Sequence, residues 1–272
     1  MNFTNLSEKH DIEPDPLKDQ FFLNDKEVIK KIVEFANLSQ KDTVLEVGAG
    51  IGNLTKEIAK FAGKVIAFEI DKGFKPFLDS MPSNVEVHYE NAWEFVQLQG
   101  KFRKKKEYNK IVSNPPYSFI EPFLHNLTFL DYDKVILLVP MKFLKKGEKW
   151  GVFDSFFEVE ILMKISKNKF YPKPKTDSVV INLKKLPDPI IGAQIGLYLR
   201  QYMYQHERQL VKNSLMEGII RYAKRVHSKK LTKNQARARI ADKNIDNALL
   251  ENYPESKRIY ELVGEKFRKL KI

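Results

Sequence analysis

A proline-stiffened motif, Asn114-Pro115-Pro116-Tyr117, directly follows a short apolar strand. The Asn114 side-chain oxygen and the Pro115 carbonyl can together accept hydrogen bonds from the two N–H groups of one aromatic amine. Such an amine is a poor nucleophile, and acceptors that bind it more tightly as it becomes tetrahedral and positive favour the transition state. Tyr117 offers a ring face for the base. The motif therefore indicates alkylation of the exocyclic amine of adenine, although a simple proline turn after a strand would read the same way.

A glycine-rich turn, Gly48-Ala49-Gly50-Ile51-Gly52, joins a second apolar strand to a helix. Glycine at Gly48 and Gly50 allows a sharp turn and close approach of a ligand. The spacing falls short of the dinucleotide fingerprint G-x-G-x-x-G, and Glu46 just before it would repel a pyrophosphate. Glu69, at the end of the next strand, is placed to accept both hydroxyls of a ribose. S-adenosylmethionine, which has a ribose, a positive charge and no phosphate, fits these conditions; a packing turn beside a surface acid is the alternative.

Aromatic and basic residues share the loop at 168–178, which also contains two prolines. Aromatic rings next to lysines suit stacking on an extruded base and contact with its phosphates. On this interpretation Phe170 stacks on the base and Lys173 contacts phosphate. The same loop is also compatible with an ordinary hairpin connection.

The elements that must position these groups alternate between strand and helix from residue 24 to residue 186. Apolar runs predict seven strands, at 43–47, 64–69, 85–89, 108–113, 133–140, 156–165 and 177–183. Val- and Ile-rich runs that alternate with helices are typical of a parallel sheet covered on both faces. The last two strands are joined by a loop without helical pattern, so we expect an antiparallel pair at the sheet edge. The predicted fold is α/β, with a Rossmann-like, seven-stranded, mostly parallel sheet.

The chain changes character at Leu186-Pro187-Asp188-Pro189. Residues 187–272 show helical periodicity with few β-branched runs, which predicts a small C-terminal all-helical domain. Residues 1–19 contain prolines and no periodicity, so we expect a loose arm there. The predicted division is therefore an arm and adjoining segment at 1–23, a Rossmann-like domain at 24–186 and a helical domain at 187–272.

Charge is divided unevenly along the 272 residues, whose formal net charge is +12. The first 100 residues carry 17 acidic side chains and 11 lysines, whereas residues 101–272 carry 36 basic and 18 acidic side chains. The first part suits a small cationic ligand, and the second suits a polyanion such as nucleic acid. The chain has no cysteine, and its five histidines show no paired spacing, so we expect no metal site. No apolar run is long enough to span a membrane, and we expect a cytoplasmic monomer.

The motifs, taken in order, resemble the ribosomal RNA adenine N6-dimethyltransferase family of class I S-adenosylmethionine-dependent enzymes. This family includes KsgA-type enzymes, which act on the small subunit, and Erm-type enzymes, which act on the large subunit. The resemblance rests on GAG at 48–50, E-I-D at 69–71, N-P-P-Y at 114–117 and F-Y-P-K-P-K-T-D-S at 170–178. Two further segments agree: D-Q-F-F-L at 19–23 resembles the G-Q-N-F-L segment that closes over the cofactor, and residues 204–215 resemble a basic helix of the small domain.

The resemblance implies a set of cofactor contacts, which fall on Gln20, Phe21, Leu23, Gly48, Gly50, Glu69, Asn91 and Asn114. The chain departs from the family pattern at three positions that bear on the chemistry. Phe21 stands where the family has asparagine, so a ring replaces the side chain that contacts the cofactor, or that interaction is missing. Asn91 replaces the usual acid but can still accept a hydrogen bond from the adenine amine. Pro115 stands where the family's N-L-P-Y motif has leucine. Dimethylation requires the pocket to accept an amine that already carries one methyl group, so this change affects whether the product has one methyl group or two.

The resemblance and the charge together imply methylation of adenosine N6 in ribosomal RNA, with Asn114, Pro115, Tyr117 and Phe170 at the base. We expect small-subunit RNA as the partner, contacted through Lys142, Lys145, Lys173, Arg208, Lys212, Arg221 and Arg225. Two alternatives remain open: a large-subunit or other RNA or DNA target, and an RNA-binding ribosome assembly factor with weak or no activity. Phe21 and Asn91 keep the second alternative open.

Overall fold

Seven strands form the central sheet of the computed structural model, which describes residues 14–96, 107–128, 130, 132–145, 156–186, 195–254 and 257–272. The strands are β2 (Thr43–Val47), β3 (Lys64–Phe68), β4 (Val85–His88), β5 (Lys110–Ser113), β6 (Lys134–Pro140), β7 (Phe157–Ile165) and β9 (Ser178–Lys185). Their order is β4-β3-β2-β5-β6-β9-β7. The neighbouring pairs β4–β3, β3–β2, β2–β5 and β5–β6 are parallel, and β9 runs antiparallel to β6. The predicted mostly parallel, seven-stranded sheet is confirmed.

Two shorter strands that the sequence analysis does not predict form a separate pair. These strands are β1 (Phe22–Leu23) and β8 (Phe170–Tyr171), and they run antiparallel with Leu23 opposite Phe170. Two residues are too few to show an alternating pattern, so this pair leaves no periodic signal in the sequence. It joins the segment before the first long helix to the predicted base-stacking loop.

Helices pack against the sheet. Those before residue 186 are α1 (Lys26–Ala36), α2 (Asn53–Ala59), α3 (Lys75–Leu78), α4 (Ile120–Leu127) and α5 (Met141–Lys145). Helix α1 begins where the Asp25 carboxylate accepts a 3.0 Å hydrogen bond from the Val28 N–H, and it ends at Asn37 in the left-handed conformation. Its buried face packs on α2 and β6, so α1 covers the core.

The C-terminal part of the chain is helical, as predicted. Its helices are α6 (Ile195–Gln205), α7 (Val211–His227), α8 (Lys233–Ala241), α9 (Asn247–Leu250) and α10 (Lys257–Lys266). Helix α6 packs on both α7 and α10, and α7 packs on α8. The chain divides into two compact units, one drawn from 1–145 and 159–184 and the other from 146–158 and 185–272.

No helix within the described ranges is long and apolar enough to cross a membrane. The same ranges contain no group of three or more His, Asp or Glu side chains that could hold a metal ion.

Candidate functional site

A cleft lies at the carboxyl ends of β2, β3 and β5. The chain runs from β2 outward through β3 to β4 and then returns to place β5 on the other side of β2, so the strand order reverses at this point. Open α/β sheets bind ligands at such reversals. The cleft is open to solvent at its mouth and, counted with that solvent, encloses about 870 Å³ of space not filled by protein atoms. Glu46, Glu69 and Asn114 all line it.

The glycine turn forms the floor of this cleft. Gly48 has a φ of +78°, and a Cβ there would lie 3.0 Å from Pro116 Cδ. Gly50 has a φ of +56°, and a Cβ there would lie 2.7 Å from Phe22 Cε1. Glycine is therefore required at both positions, because side chains would be strained and would displace the neighbours. The turn brings the N-P-P-Y motif and Phe22 against the same stretch of backbone.

Glu69 is held in a fixed orientation at the end of β3. Its Oε2 accepts a 2.8 Å hydrogen bond from the Gly50 N–H, and its Oε1 accepts one of 2.8 Å from the Asp71 N–H. The residue is 7% exposed, and burial raises the pKa of its carboxyl group above the ordinary value. Each carboxylate oxygen can accept more than one hydrogen bond, so both retain capacity for a diol. This geometry fits the ribose role expected for Glu69.

Glu46 is buried near the end of β2. The residue is 1% exposed, and its Oε2 has no hydrogen-bond partner within the described part of the chain. Burial raises the pKa of Glu46 to about 8, and the negative charge of Glu69 adds to the increase. A ligand cation in the cleft would offset the cost of ionising this carboxyl group, whereas a pyrophosphate would increase it. Glu46 and Glu69 together fit a ribose-containing cation such as S-adenosylmethionine.

Asn114 and Tyr117 lie on the opposite wall. The Ser113 hydroxyl donates a 2.6 Å hydrogen bond to the Val47 carbonyl, which ties the end of β5 to the end of β2. Asn114 Nδ2 donates to the Phe21 carbonyl at 3.4 Å, and this contact leaves Oδ1 as the acceptor available to a ligand. The Tyr117 ring stacks on Phe21, with centroids 5.4 Å apart, and Lys142 Nζ lies 5.7 Å from its centroid. Pro115 lines the cleft beside them.

The segment before β1 crosses the cleft. Gln20 Nε2 donates to Asp71 Oδ2 at 2.9 Å, on the Glu69 side. Asp19 Oδ2 accepts a 2.8 Å hydrogen bond from the Ser118 N–H, on the Asn114 side. Gln20, Phe21 and Leu23 line the cleft, as the resemblance implies for a segment that closes over a cofactor.

Two expected site residues lie elsewhere. Asn91 is exposed, and its Oδ1 accepts a 3.0 Å hydrogen bond from the Trp93 N–H, so the side chain caps a local turn. Phe170 is 6% exposed and packs in the core. Neither is among the described residues that line the cleft.

The basic residues assigned to RNA have different surroundings. Lys142, Lys173, Arg208 and Arg225 are exposed. Lys212 Nζ is 2.7 Å from Glu251 Oε1, so its charge is already paired. The Arg221 guanidinium lies 5.4 Å from the centre of the Tyr202 ring. The side chain of Lys145 lies outside the described residues.

Several cleft residues were not assigned by the sequence analysis, among them Ile70, Asp19 and Asp71. Ile70 lines the cleft although it is 64% exposed, and an apolar surface there suits the face of a nucleobase. The sequence signal that could have identified Ile70 is its position between Glu69 and Asp71 in the E-I-D motif. Asp19 and Asp71 hold the crossing segment through side-chain bonds over long sequence separations, and no local pattern predicts such contacts.

Comparisons with known proteins identify the family of the chain. Residues 18–249 match the family model described as ribosomal RNA adenine dimethylase. The chain is 32% identical to the probable ribosomal RNA small subunit methyltransferase A of Pyrococcus furiosus, over 96% of this chain and 92% of that protein. It is 35% identical to the ribosomal RNA small subunit methyltransferase A of Thermotoga neapolitana, over 72% of this chain and 77% of that protein.

Solved structures support the fold. A dimethyladenosine transferase from Plasmodium falciparum matches with a TM-score of 0.58 and 19% identity, over 89% of this chain and 95% of that one. The 23S rRNA methyltransferase ErmE matches with a TM-score of 0.51 and 21% identity, over 90% of this chain and 99% of that one. From the family match and the identity to curated relatives, the chain belongs to the ribosomal RNA adenine dimethylase family.

Proposed function

We propose that this protein transfers methyl groups from S-adenosylmethionine to N6 of adenosine in small-subunit ribosomal RNA. One observation carries the proposal: a single cleft at the sheet's topological switch point is lined by Glu46 and Glu69 on one side and by Asn114 and Pro115 on the other. The first pair suits a cationic nucleoside, and the second suits an aromatic amine. The small-subunit target comes from the names of the relatives in Pyrococcus and Thermotoga.

The cofactor side uses groups that are already fixed. Glu69 accepts the ribose hydroxyls while the Gly50 and Asp71 N–H groups hold its carboxylate. Glu46 supplies negative charge for the cationic end, and Ile70 supplies an apolar surface. Gln20, Phe21 and Leu23 cover the cleft and exclude water. When bound, S-adenosylmethionine supplies an electrophilic methyl group on a positively charged sulfur.

The amine side acts by hydrogen-bond acceptance. Asn114 Oδ1 and the Pro115 carbonyl accept from the two N–H groups of the target amine and orient its lone pair. As the nitrogen gains positive charge, both contacts strengthen, so they stabilise the transition state more than the ground state. The Phe21 carbonyl keeps the Asn114 amide in the required orientation by accepting from Nδ2.

RNA contacts are proposed for the exposed basic residues outside the cleft, among them Lys142, Lys173, Arg208 and Arg225. The helical region at 187–272 serves as the RNA-binding domain, the region at 24–186 as the catalytic domain, and the segment at 1–23 as the arm that closes over the cofactor. The protein works as a monomer.

The test is methyl transfer from labelled S-adenosylmethionine to small subunits isolated from cells that lack the modification. We expect the wild-type protein to label them and Asn114→Ala to lose roughly 100-fold or more in kcat, the scale for removing one preorganised partner of the transition state. Asn247→Ala, an exposed asparagine on α9, is the matched control and should keep full activity. Mass spectrometry of the product nucleosides distinguishes one methyl group from two.

Three outcomes would contradict the proposal. Labelling of large subunits or DNA in place of small subunits would reassign the target. Tight subunit binding without transfer and without cofactor binding would support an assembly factor. Full activity in Asn114→Ala would remove that residue from the reaction.

A further inference from the structure

The segment that crosses the cleft bends sharply at Asp19. A single 3₁₀ turn at Pro16–Lys18 ends there, and Asp19 has a φ of +58°, in the left-handed region. Glycine adopts this conformation without strain, whereas most other residues do not. The family segment G-Q-N-F-L, which residues 19–23 resemble, has glycine at the position of Asp19. The bend itself requires no carboxylate, so the role of this side chain follows from its contacts.

The Asp19 carboxylate binds the loop that follows N-P-P-Y. Its Oδ2 accepts a 2.8 Å hydrogen bond from the Ser118 N–H, which lies 99 positions later in the chain. Ser118 is inside a turn in which the Phe119 N–H donates to the Pro116 carbonyl at 2.8 Å. The turn's own hydrogen bond uses only those two groups, so the Ser118 N–H is left for an acceptor outside the turn. A carboxylate is a stronger acceptor there than a neutral oxygen.

The same segment is also held at the opposite wall of the cleft. Gln20 Nε2 donates to Asp71 Oδ2 at 2.9 Å, and Gln20 Oε1 accepts from the Asp15 N–H at 2.7 Å. The Asp71 N–H in turn donates to Glu69 Oε1 at 2.8 Å. The segment therefore spans the cleft between two tethers, one beside the expected ribose acid and one, at Asp19, beside the expected amine acceptor. Without the second tether it would be held at one wall only.

We propose that Asp19 is the latch of the cover formed by residues 19–23: its bond to Ser118 keeps the cover closed over bound S-adenosylmethionine and slows cofactor release. This inference rests on the proposed function. Asp19 is a positioning residue that acts through Phe21, whose carbonyl accepts from Asn114 Nδ2 at 3.4 Å. Opening of the cover removes that acceptor from Asn114, so the amide is held in its orientation only while the cover is closed.

Three substitutions separate the carboxylate from the backbone bend. Asp19→Gly keeps the bend without strain and removes the acceptor. Asp19→Asn keeps an acceptor oxygen, and asparagine tolerates the left-handed region. Asp19→Ala removes the acceptor and strains the bend. The matched control is Asn244→Gly, because Asn244 is exposed after α8, has a φ of +49° and is not among the cleft residues that the structure describes.

The first measurement is the release of labelled S-adenosylmethionine after a chase with excess unlabelled cofactor. We expect Asp19→Gly to accelerate dissociation by roughly 5- to 10-fold, the scale of one exposed hydrogen bond to a charged group. Asp19→Ala should lose at least as much. Asp19→Asn should stay within about threefold of wild type, because it still accepts from the Ser118 N–H. Asn244→Gly should match wild type. Thermal unfolding checks that every variant is folded.

A second measurement distinguishes a latch from general damage to the site. Both tethers are made by the chain itself, so the cover closes without a ligand and slows entry as well as release. Asp19→Gly should therefore accelerate association too, and the Kd should rise by a smaller factor than the dissociation rate. In the cofactor-free protein, hydrogen exchange of the Ser118 amide and of residues 15–23 should be faster in Asp19→Gly than in wild type or Asn244→Gly.

The inference is overturned by a wild-type dissociation rate in Asp19→Gly, or by equal acceleration in Asp19→Asn or Asn244→Gly. A Kd that rises as much as the dissociation rate would indicate a damaged site and would also overturn it. Failure of the proposed function has a different signature. In that case the wild-type protein binds no S-adenosylmethionine, while hydrogen exchange at Ser118 and residues 15–23 still responds to Asp19→Gly.

Discussion

At the scale of single residues, the carboxyl group of Glu46 has the least ordinary environment in the site. Its folded-state pKa is raised to about 8 from an ordinary value of 4.5, chiefly by burial. The folded protein therefore holds this proton more tightly than the unfolded chain. The contribution to folding stability is fully present below about pH 4.5 and decreases as pH rises through about 8.

We predict that Glu46→Gln weakens this pH dependence in the ligand-free protein. At pH 8 the variant should unfold at a Tm about 2 °C or more above wild type, the shift that roughly 1 kcal/mol produces in a domain of this size. At pH 5 the difference should be smaller. Thermal unfolding from pH 5 to 8.5 measures it, with Glu27→Gln, an exposed acid of α1, as control. Parallel pH profiles for wild type and Glu46→Gln would contradict the assignment.

We predict that the same carboxyl group makes cofactor binding dependent on pH. Because a cation is best bound by ionised Glu46, the affinity for S-adenosylmethionine should increase from pH 6.5 to 8.5 in wild type. Glu46→Gln should bind more weakly, and its affinity should vary less over that range. Calorimetric titrations at several pH values measure both quantities, and an equal pH dependence in both proteins would separate Glu46 from the cation.

Several residues of the cleft were predictable one by one, because the strand ends are marked by short motifs. Glu69, Gly48 and Asn114 lie at the cleft since each follows a strand whose end could be read from the sequence. Phe170 and Asn91, which we also expected at the cleft, do not line it. Their side-chain directions depend on a two-residue strand pair and on a local cap, and neither produces a recognisable pattern.

At the scale of elements, the amino-terminal end of the sheet is held by a buried polar network around Asp42, which is 6% exposed. Its carboxylate accepts hydrogen bonds from Asn109 Nδ2 at 2.7 Å, from Lys110 Nζ at 3.0 Å and from the Ser39 N–H at 2.7 Å. Although burial opposes ionisation, these donors lower the pKa of Asp42 to about 2. The network joins the start of β2 to the start of β5, at the opposite end from the cleft.

We predict that Asp42→Ala destabilises the protein by about 2–4 kcal/mol at pH 7, because it leaves Lys110 and Asn109 without their buried acceptor. The pKa is depressed, so the contribution of Asp42 is present above about pH 3.8 and is lost as pH falls through about 2. Urea unfolding at pH 7 and pH 3 should show a smaller difference between variant and wild type at pH 3. Glu27→Ala is the exposed control, and equal destabilisation of the two variants would refute a special role for the network.

The strands were predictable to within a few residues, because buried runs of Val and Ile have a clear signature. The predicted strand at 108–113, for example, forms over Lys110–Ser113. The Asp42 network was not predictable in the same way, since it joins residues up to 68 positions apart. Polar contacts over such distances follow from the completed fold.

At the scale of the whole molecule, the charge difference between the two parts of the chain matches the proposed division of labour. Acidic residues dominate the first 100 residues, which contribute most of the cleft, and basic residues dominate the remainder. Exposed Lys224, Arg225 and Lys229 cluster at the end of α7. Lys212 forms an ion pair with Glu251.

We predict that reversing Lys224 and Arg225 to glutamate weakens RNA binding and leaves cofactor affinity nearly unchanged. The slope of log affinity against log salt concentration should fall by about 0.7–0.9 for each RNA phosphate that the variant no longer neutralises. Lys31→Glu with Lys41→Glu introduces the same charge change at exposed positions near the acidic part and serves as control. Lys212→Glu should lower the salt slope less than the double variant does, because Lys212 is already paired with Glu251. Filter binding at several salt concentrations measures these effects, and equal reductions of RNA and cofactor affinity would contradict the division.

The short pairing of β1 with β8 has a kinetic consequence. Leu23 lines the cofactor cleft, and its partner Phe170 begins the loop proposed to face RNA. If cofactor exchange opens the cleft by moving β1, we expect it also to disturb this loop, which would couple release of the spent cofactor to release of the RNA. Two methyl transfers to one nitrogen would then proceed by separate encounters, and monomethyladenosine would accumulate early in a reaction with excess subunits.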